Sequence, residues 1–190
     1  MADDGVELIR DPKTLRALAH PLRWKLLDVL ASYGPSTATR CAELLGESVA
    51  SCSYHLNMLA QYGFVAEVPG KGRQKPWRLV RREQSWSSIG MDDEAALAAE
   101  AAGDAFLEKE FASIRERFRI KDREPLEWRE QMGTFATTEF LTTEEAAELH
   151  TRIAELFKPY ADRHEDEAAR PEGARPVRFF LATTVAPRRD

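Results

Sequence analysis

The chain has 190 residues, of which 43% are hydrophobic, and a formal net charge of −5. This length and composition suit one large packed domain or two small ones. The apolar runs are far too short to span a bilayer, and no signal peptide is visible. The sequence therefore predicts a soluble cytoplasmic protein with no membrane partner. Cys41 and Cys52 have neither disulfide nor zinc spacing, and we expect both to be small buried hydrophobes.

The acidic net charge hides an asymmetry between the two halves of the chain. Residues 1–84 carry 12 Lys and Arg against 9 Asp and Glu, whereas residues 85–190 carry 15 against 23. Residues 68–82 contain six basic residues and no acid. A local basic cluster can bind phosphate even on an acidic chain. The composition therefore leaves a nucleic-acid partner open.

Two helices are predicted at the start of the chain. Asp11 can cap the first helix, and Pro12 suits its first turn because no needed donor is lost there. Pro21 begins the second helix, which carries a leucine-rich face and stops at Gly34.

Two further helices follow, joined by a tight corner. The third spans residues 36–45 and ends at Gly46, because glycine tolerates the left-handed conformation of such a turn. Ser48 is a fitting N-cap for the fourth, which runs to about Tyr62. One face of this fourth helix is apolar at helical spacing; it carries Cys52, Leu56 and Leu59. A second face carries Ser53, Tyr54 and Asn57.

The periodicity then changes to that of β-strands. Residues 64–68 and 77–81 alternate or are rich in β-formers, and the segment "PGKGRQKP" between them has the glycines and prolines of a loop. The sequence therefore predicts a hairpin with a basic tip. Helices followed by such a hairpin indicate a winged helix-turn-helix, and this order is more specific than any one element.

A linker over residues 83–91 precedes a long predicted helix at about residues 92–120. Its second half carries four apolar residues spaced by four, three and four positions, the pattern of helix pairing; they are Leu107, Phe111, Ile114 and Phe118. We expect this seam to be the interface of a homodimer. Packing within the same chain is the alternative for part of it.

The C-terminal part has weaker patterns. Residues 134–141 and 177–183 are predicted strands. Thr142 and Glu145 form a capping box that opens a helix to about Tyr160. The predicted fold class is thus α+β and mostly helical: an N-terminal winged helix-turn-helix, a long dimerisation helix and a small α/β C-terminal region.

The predicted division is a DNA-binding domain at residues 1–84 and a dimerisation and effector-binding region at residues 85–190. A recognition helix places the residues of its first turns against base edges and phosphates in the major groove. Hydroxyls there can bond phosphates or bases, His55 can donate to a phosphate, and the wing cations can flank the minor groove. The expected DNA-contacting residues are Arg40, Ser51, Ser53, Tyr54, His55, Lys71, Arg73 and Lys75.

Three segments carry a resemblance to a known family. "LRALAHPLRWKLLDVL", "CAELLGESVASCSYHLNMLAQYGFV" and "GKGRQKPWRLV" resemble the ArsR-like winged-helix transcriptional regulators over residues 12–82. The resemblance implies a dimeric repressor that binds an operator, an inverted repeat in double-stranded DNA, and releases it when an effector binds. The family's reading positions fall on the fourth-helix residues named above, and its wing position falls on Arg73. His20, in the "AHP" segment, is expected to order the first two helices.

This sequence lacks the residues with which the metal-sensing members bind their effector metals. Those members carry a Cys-x-Cys pair where this chain has Thr37 and Thr39, and threonine hydroxyls cannot replace thiolates for soft metals. Other members bind zinc on the helix after the wing, but residues 92–120 contain no histidine. His150 and His164 are interpreted as surface residues. No metal and no cofactor is therefore expected.

We expect a non-metal effector, for which an organic ligand is one candidate, and residues 85–190 are where a pocket for such a ligand is expected. Trp86, Phe106 and Trp128 favour an apolar ligand, although ordinary core packing explains each of them singly. An interaction module without specific DNA binding is the alternative function: the absence of arginine from the reading helix favours it, and the basic stretch at 68–82 opposes it.

An enzyme is not expected. Cys52 and His55 are three residues apart on one helix and could form a nucleophile pair. Cys52, however, lies on the apolar face, where a thiol is inert. The chain also lacks a glycine-rich phosphate loop, a GxSxG motif and an HExxH motif.

Overall fold

A computed structural model describes residues 8–70, 74–82, 84–164 and 166–187. The elements are α1 (Pro12–Arg16), α2 (Pro21–Tyr33), α3 (Ala38–Leu45), α4 (Val49–Gln61), β1 (Val65–Glu67), β2 (Trp77–Leu79), α5 (Asp93–Arg119), α6 (Leu126–Arg129) and α7 (Thr143–Phe157). Short 3-10 helices lie at Lys121–Arg123, Lys158–His164 and Glu167–Ala169. The fold class is α+β and mostly helical, as the sequence predicts.

The helix boundaries in the first half follow the predicted capping residues. The Asp11 carboxylate accepts a hydrogen bond from the N–H of Thr14 at 2.8 Å and so caps α1. The Ser48 hydroxyl accepts from the N–H of Ser51 at 3.1 Å and caps α4. Gly46 ends α3 with φ at 67°, in the left-handed region that favours glycine. The tight corner between α3 and α4 is therefore confirmed.

The wing is an antiparallel hairpin of β1 and β2, which confirms the predicted strands in shortened form. A backbone bridge attaches it to the helices. The N–H of Ser36 donates to the Trp77 carbonyl at 3.0 Å, and the N–H of Trp77 donates back to the Ser36 carbonyl at 2.9 Å. Because Ser36 is used in this bridge, α3 begins at Ala38 and not at residue 36. The bridge fixes the wing beside the N-terminus of α3.

One hydrophobic core joins α1 to α5. Its fully buried large side chains include Leu15, Leu18, Leu26, Leu56, Leu59 and Phe64. Four alanines of α5 belong to the same core: Ala98, Ala99, Ala102 and Ala105. Their small side chains let the first half of α5 lie close against α1 and α2. The core therefore extends beyond residue 84, across the predicted domain boundary.

The second half of α5 leaves its aromatic seam uncovered. Leu107, Phe111 and Phe118 are 38%, 47% and 40% exposed, and Ile114 is half-buried. Part of the seam has an intrachain contact, since the ring of Phe111 lies 6.0 Å from that of Phe180. The alanine face of α5 thus packs within the chain, while most of the seam faces outward.

The prediction of two strands in the C-terminal region is wrong. Residues 134–141 and 177–183 contain no strand, and no described residue beyond 84 belongs to one. Their β-prone side chains lack the neighbouring strand that a ladder requires, and Phe135 and Phe140 are almost fully exposed. The helix opened by the Thr142 capping box is confirmed as α7. No described helix has the length and apolar character needed to cross a membrane.

A cluster of four charges ties the C-terminal segment to the body. Lys109 and Glu110 of α5 are 4% and 1% exposed. Lys109 pairs with Glu110 and with Asp28 of α2. Arg178 donates from Nε to Glu110 at 3.3 Å and from Nη1 to Asp28 at 3.4 Å. Two acids balance two bases, which matters because an unpaired buried charge is costly.

Candidate nucleic-acid interface

Helix α4 presents a polar face outward. Its apolar face is fully buried at Cys52, Leu56 and Leu59, which fixes the orientation of the helix. Tyr54, on the opposite side, is 59% exposed. Ser51 and Ser53 are half-buried. The exposed face therefore offers three hydroxyl groups that can reach bases or phosphates.

His55 is buried, contrary to its predicted role as a phosphate contact. It is 8% exposed, and its Nδ1 atom accepts a hydrogen bond from Arg23 Nε at 3.2 Å. Its ring also lies 4.4 Å from that of His20. Burial and the neighbouring His20 and Arg23 lower the pKa of His55. The prediction is corrected because His55 serves the contact between α2 and α4.

Arg23 is the residue at this site that the sequence analysis missed. It is 9% exposed, and its Nη1 atom donates to the carbonyls of Ala17 at 2.8 Å and Arg16 at 3.3 Å. No carboxylate appears among its hydrogen-bond partners in the described residues. A basic residue inside the leucine-rich run "PLRWKLL" is the signal that could have identified it.

His20 has the structural role that the sequence predicts. Its Nδ1 atom accepts a hydrogen bond from the N–H of Leu22 at 3.1 Å and thereby caps α2, with Pro21 in the first helical position. The ring then lies against His55, as described above. His20 thus orders the corner between α1 and α2 and also meets the reading helix.

A groove between α3, α4 and the wing adjoins the polar face of α4. We call it the reading groove; its lining includes Thr37, Thr39, Arg40, Ser53, Asn57 and Lys75. Asn57 was assigned to the polar face from the sequence but not to a site, and its side chain donates to the Ser53 carbonyl at 2.8 Å. The groove brings together side chains that lie far apart in the sequence, from Thr37 to Lys75.

Two cations flank the reading groove, and both are exposed. Arg40 pairs with Glu43 at 3.2 Å, and Lys75 pairs with Glu67 at 3.4 Å. Such exposed ion pairs contribute little stability, about 0–1 kcal/mol each, so either cation can exchange its carboxylate for a phosphate at small cost. Lys71 and Arg73, the other two predicted wing contacts, lie outside the described residues.

The cysteines have the environment predicted for buried hydrophobes. Cys41 and Cys52 are both fully buried. Burial raises the pKa of Cys41 to about 11 and also raises the pKa of Cys52. The reactive thiolate form is therefore scarce at neutral pH.

Thr37 and Thr39 stand where the metal-sensing ArsR-like regulators carry their two cysteines, and in this structure they have other roles. The Thr37 hydroxyl accepts from the N–H of Arg40 at 3.1 Å and caps α3, and Thr39 lines the reading groove. Within the described ranges, no group of three or more His, Cys, Asp and Glu residues is arranged to hold a metal ion. His150 contacts the Thr183 hydroxyl at 2.8 Å.

Comparisons with known proteins support the helix-turn-helix. A family described as "Helix-turn-helix domain" matches residues 18–68, which include α2, α3, α4 and β1. No protein among those with curated descriptions matches the chain. A solved structure of a point mutant of ZitR from Lactococcus lactis is 17% identical over 83% of this chain and 81% of that one, with a TM-score of 0.28. This likeness is too distant to carry an argument. The chain contains a helix-turn-helix domain, which supports a DNA-binding regulator.

Proposed function

We propose that the protein is an ArsR-like transcriptional repressor that binds operator DNA as a homodimer and releases it when a non-metal, organic effector binds. The observation that carries the DNA-binding part is the exposed hydroxyl face of α4, flanked by Arg40 and Lys75 across the reading groove. A helix held by one buried face, with polar groups on the other and two cations across an adjoining groove, matches the requirements of a major-groove reader.

The homodimer follows from the number of reading helices. One chain supplies one α4, whereas an inverted repeat presents two half-sites about 34 Å apart. The outward seam of α5 offers the surface for a second copy, because Phe111 and Phe118 are 47% and 40% exposed on a helix whose first half packs against the core. A paired seam would bury these side chains and set the distance between the two reading helices.

An aromatic cluster beside α5 supports the organic effector. The rings of Trp24 and Phe106 lie 4.9 Å apart, and that of Trp86 lies 5.7 Å from Trp24. Phe180, from the C-terminal segment, lies 6.2 Å from Phe106. The indole N–H of Trp24 is buried and has no hydrogen-bond partner among the described residues. An effector at this cluster would act if it bound more tightly to one spacing of the reading helices than to the other.

The test of DNA binding combines site discovery with one substitution. Genomic footprinting with the purified protein identifies the operator, and fluorescence anisotropy then measures the dissociation constant for it. Tyr54→Ala should weaken operator binding by about 1–3 kcal/mol and reduce the preference for operator over random DNA, as the loss of a base contact does. Tyr160→Ala, which removes an exposed tyrosine of the C-terminal region, is the matched control.

The outcome also separates the alternative function. An interaction module without specific DNA binding would show no preferred genomic sites, and Tyr54→Ala would leave its weak binding to random DNA unchanged. That result would refute the proposed function.

A further inference from the structure

Arg23 is a buried cation whose hydrogen bonds are all to uncharged groups in the described residues. It bonds to two backbone carbonyls of α1 and its C-terminal end and to one ring nitrogen of α4. Burial lowers the pKa of Arg23, but a guanidinium stays charged in proteins. A charge held in this way joins α1, α2 and the reading helix at one point.

The hydrogen bond fixes the protonation state of His55. Because Arg23 Nε can only donate, Nδ1 of His55 must carry a lone pair, so the ring is neutral with its proton on Nε2. Protonation would place an Nδ1–H against the Nε–H of Arg23. The bond would be lost, and two cations would face each other in a buried contact.

The groups around His55 come from every element packed against it. His20 lies at the corner before α2, and Arg23 lies on α2 itself. From the reading helix, Tyr54 makes an edge contact with the His55 ring at 5.1 Å between centroids. Glu47, in the corner between α3 and α4, is the acid that acts electrostatically on His55. Two of these neighbours can be cationic and one is anionic.

We propose that Arg23 positions the reading helix through neutral His55, so that protonation of His55 loosens α4 from α2 and weakens DNA binding. This inference rests on the proposed DNA-binding function. The ring contact between His55 and Tyr54 is the route by which the change reaches the exposed face of α4. Arg23 is thus a positioning residue, since its hydrogen bonds lie within the protein.

The first experiment measures operator affinity by fluorescence anisotropy over a pH series that runs from about pH 7.5, above the usual histidine range, down through the lowered pKa of His55. The wild type should lose affinity along this series, by about tenfold once His55 is protonated, the effect expected for one charge-assisted hydrogen bond. His55→Asn keeps an oxygen acceptor for Arg23 and cannot be protonated, so it should lose this pH dependence.

The matched control is His20→Asn, which keeps a good N-cap for α2 and removes the other histidine of the contact. It should retain the pH dependence of the wild type. Loss of the pH dependence in His20→Asn, or its persistence in His55→Asn, would overturn the proposal. Arg23→Lys, which keeps the charge but not the Nε–H, should bind about tenfold more weakly at about pH 7.5.

A second measurement does not depend on DNA. Long-range ¹H–¹⁵N NMR spectra of the free protein report the tautomer and the titration of each histidine ring. His55 should carry its proton on Nε2 and titrate below the usual range in the wild type, and the preference for the Nε2 tautomer should weaken in Arg23→Lys, which lacks the Nε–H. A His55 ring protonated on Nδ1 would contradict the geometry. If the wild type binds no operator but this spectrum is as expected, the proposed function fails while the coupling between Arg23 and His55 stands.

Discussion

Residues 12–105 and residues 121–187 bury their apolar side chains to very different extents. In the first region Leu15 and Leu56 are fully buried in one core. In the second, Phe140 is fully exposed, Phe179 is 71% exposed and Leu181 is 61% exposed. The first region buries one contiguous core, whereas none of the described residues of the second region is buried. Exposed apolar surface of this extent is typical of an interaction site.

The largest expected effect, on dimerisation and operator binding, comes from placing charges in the α5 seam, which lies between the two regions in the sequence. Phe111→Glu with Phe118→Glu would bury unpaired carboxylates in the proposed interface, at a cost of about 3–5 kcal/mol each. The dimer should therefore dissociate, as measured by analytical ultracentrifugation, and operator binding should be lost.

The matched control is Leu97→Glu, which changes a side chain that is 67% exposed on the same helix but outside the seam. It should remain a dimer. If the double variant also remains a dimer and binds the operator as the wild type does, the seam is not the interface.

The second-largest expected effect is on the free energy of unfolding, and it is tested by truncating one leucine in each region. Leu56→Ala removes a fully buried side chain and should lower the free energy of unfolding by about 2–5 kcal/mol. Leu149→Ala removes one that is 44% exposed on α7 and should cost less than about 1 kcal/mol in a monomer. Urea unfolding measures both. Equal losses at low protein concentration would contradict the difference in burial between the regions.

A smaller effect is expected where the charge cluster holds the two regions together. Arg178→Ala should leave Glu110 paired with Lys109 alone. Because the Arg178 side chain is 54% exposed, the substitution should lower the stability of this attachment by about 1 kcal/mol. Limited chymotrypsin digestion should then cleave the C-terminal segment faster, whereas Arg152→Ala on exposed α7 should not change the rate. Unchanged cleavage in Arg178→Ala would show that the cluster does not hold this segment.

The smallest expected effect is the pH dependence of stability. Folding lowers the pKa of His55 from its ordinary value of 6.5, so the unfolded chain binds the proton more readily. The free energy of unfolding should therefore decrease as the pH falls from about 6.5 toward the lowered value and level off below it. Urea unfolding of the wild type and of His55→Asn measures the difference. A wild type that loses no more stability than His55→Asn would refute the assignment.

Local signals in the sequence were enough for most of the first region. The capping roles of Asp11, Ser48 and Gly46 depend on neighbouring backbone groups only, and all three were predictable. The burial of His55 depends on Arg23, 32 positions away, and helical periodicity alone does not reveal such a partner.

The C-terminal region shows the converse limit. Residues 134–141 have strand propensity, but propensity forms a strand only where a neighbouring strand is available. The capping box of Thr142 and Glu145 is local, and it was predicted correctly. Strand pairing depends on a partner distant in the sequence, which is why the local pattern was misleading at residues 134–141 and 177–183.

The salt dependence of operator affinity tests the central claim, that the reading groove holds DNA phosphates, most directly. The logarithm of the association constant should fall linearly with the logarithm of salt concentration, with a slope of about −0.9 for each phosphate contact. Arg40→Ala with Lys75→Ala should make the slope shallower by about two contacts per chain, whereas Arg152→Ala should leave it unchanged. A slope that is the same in the wild type and the groove variant, or the absence of operator binding at low salt, would contradict the account.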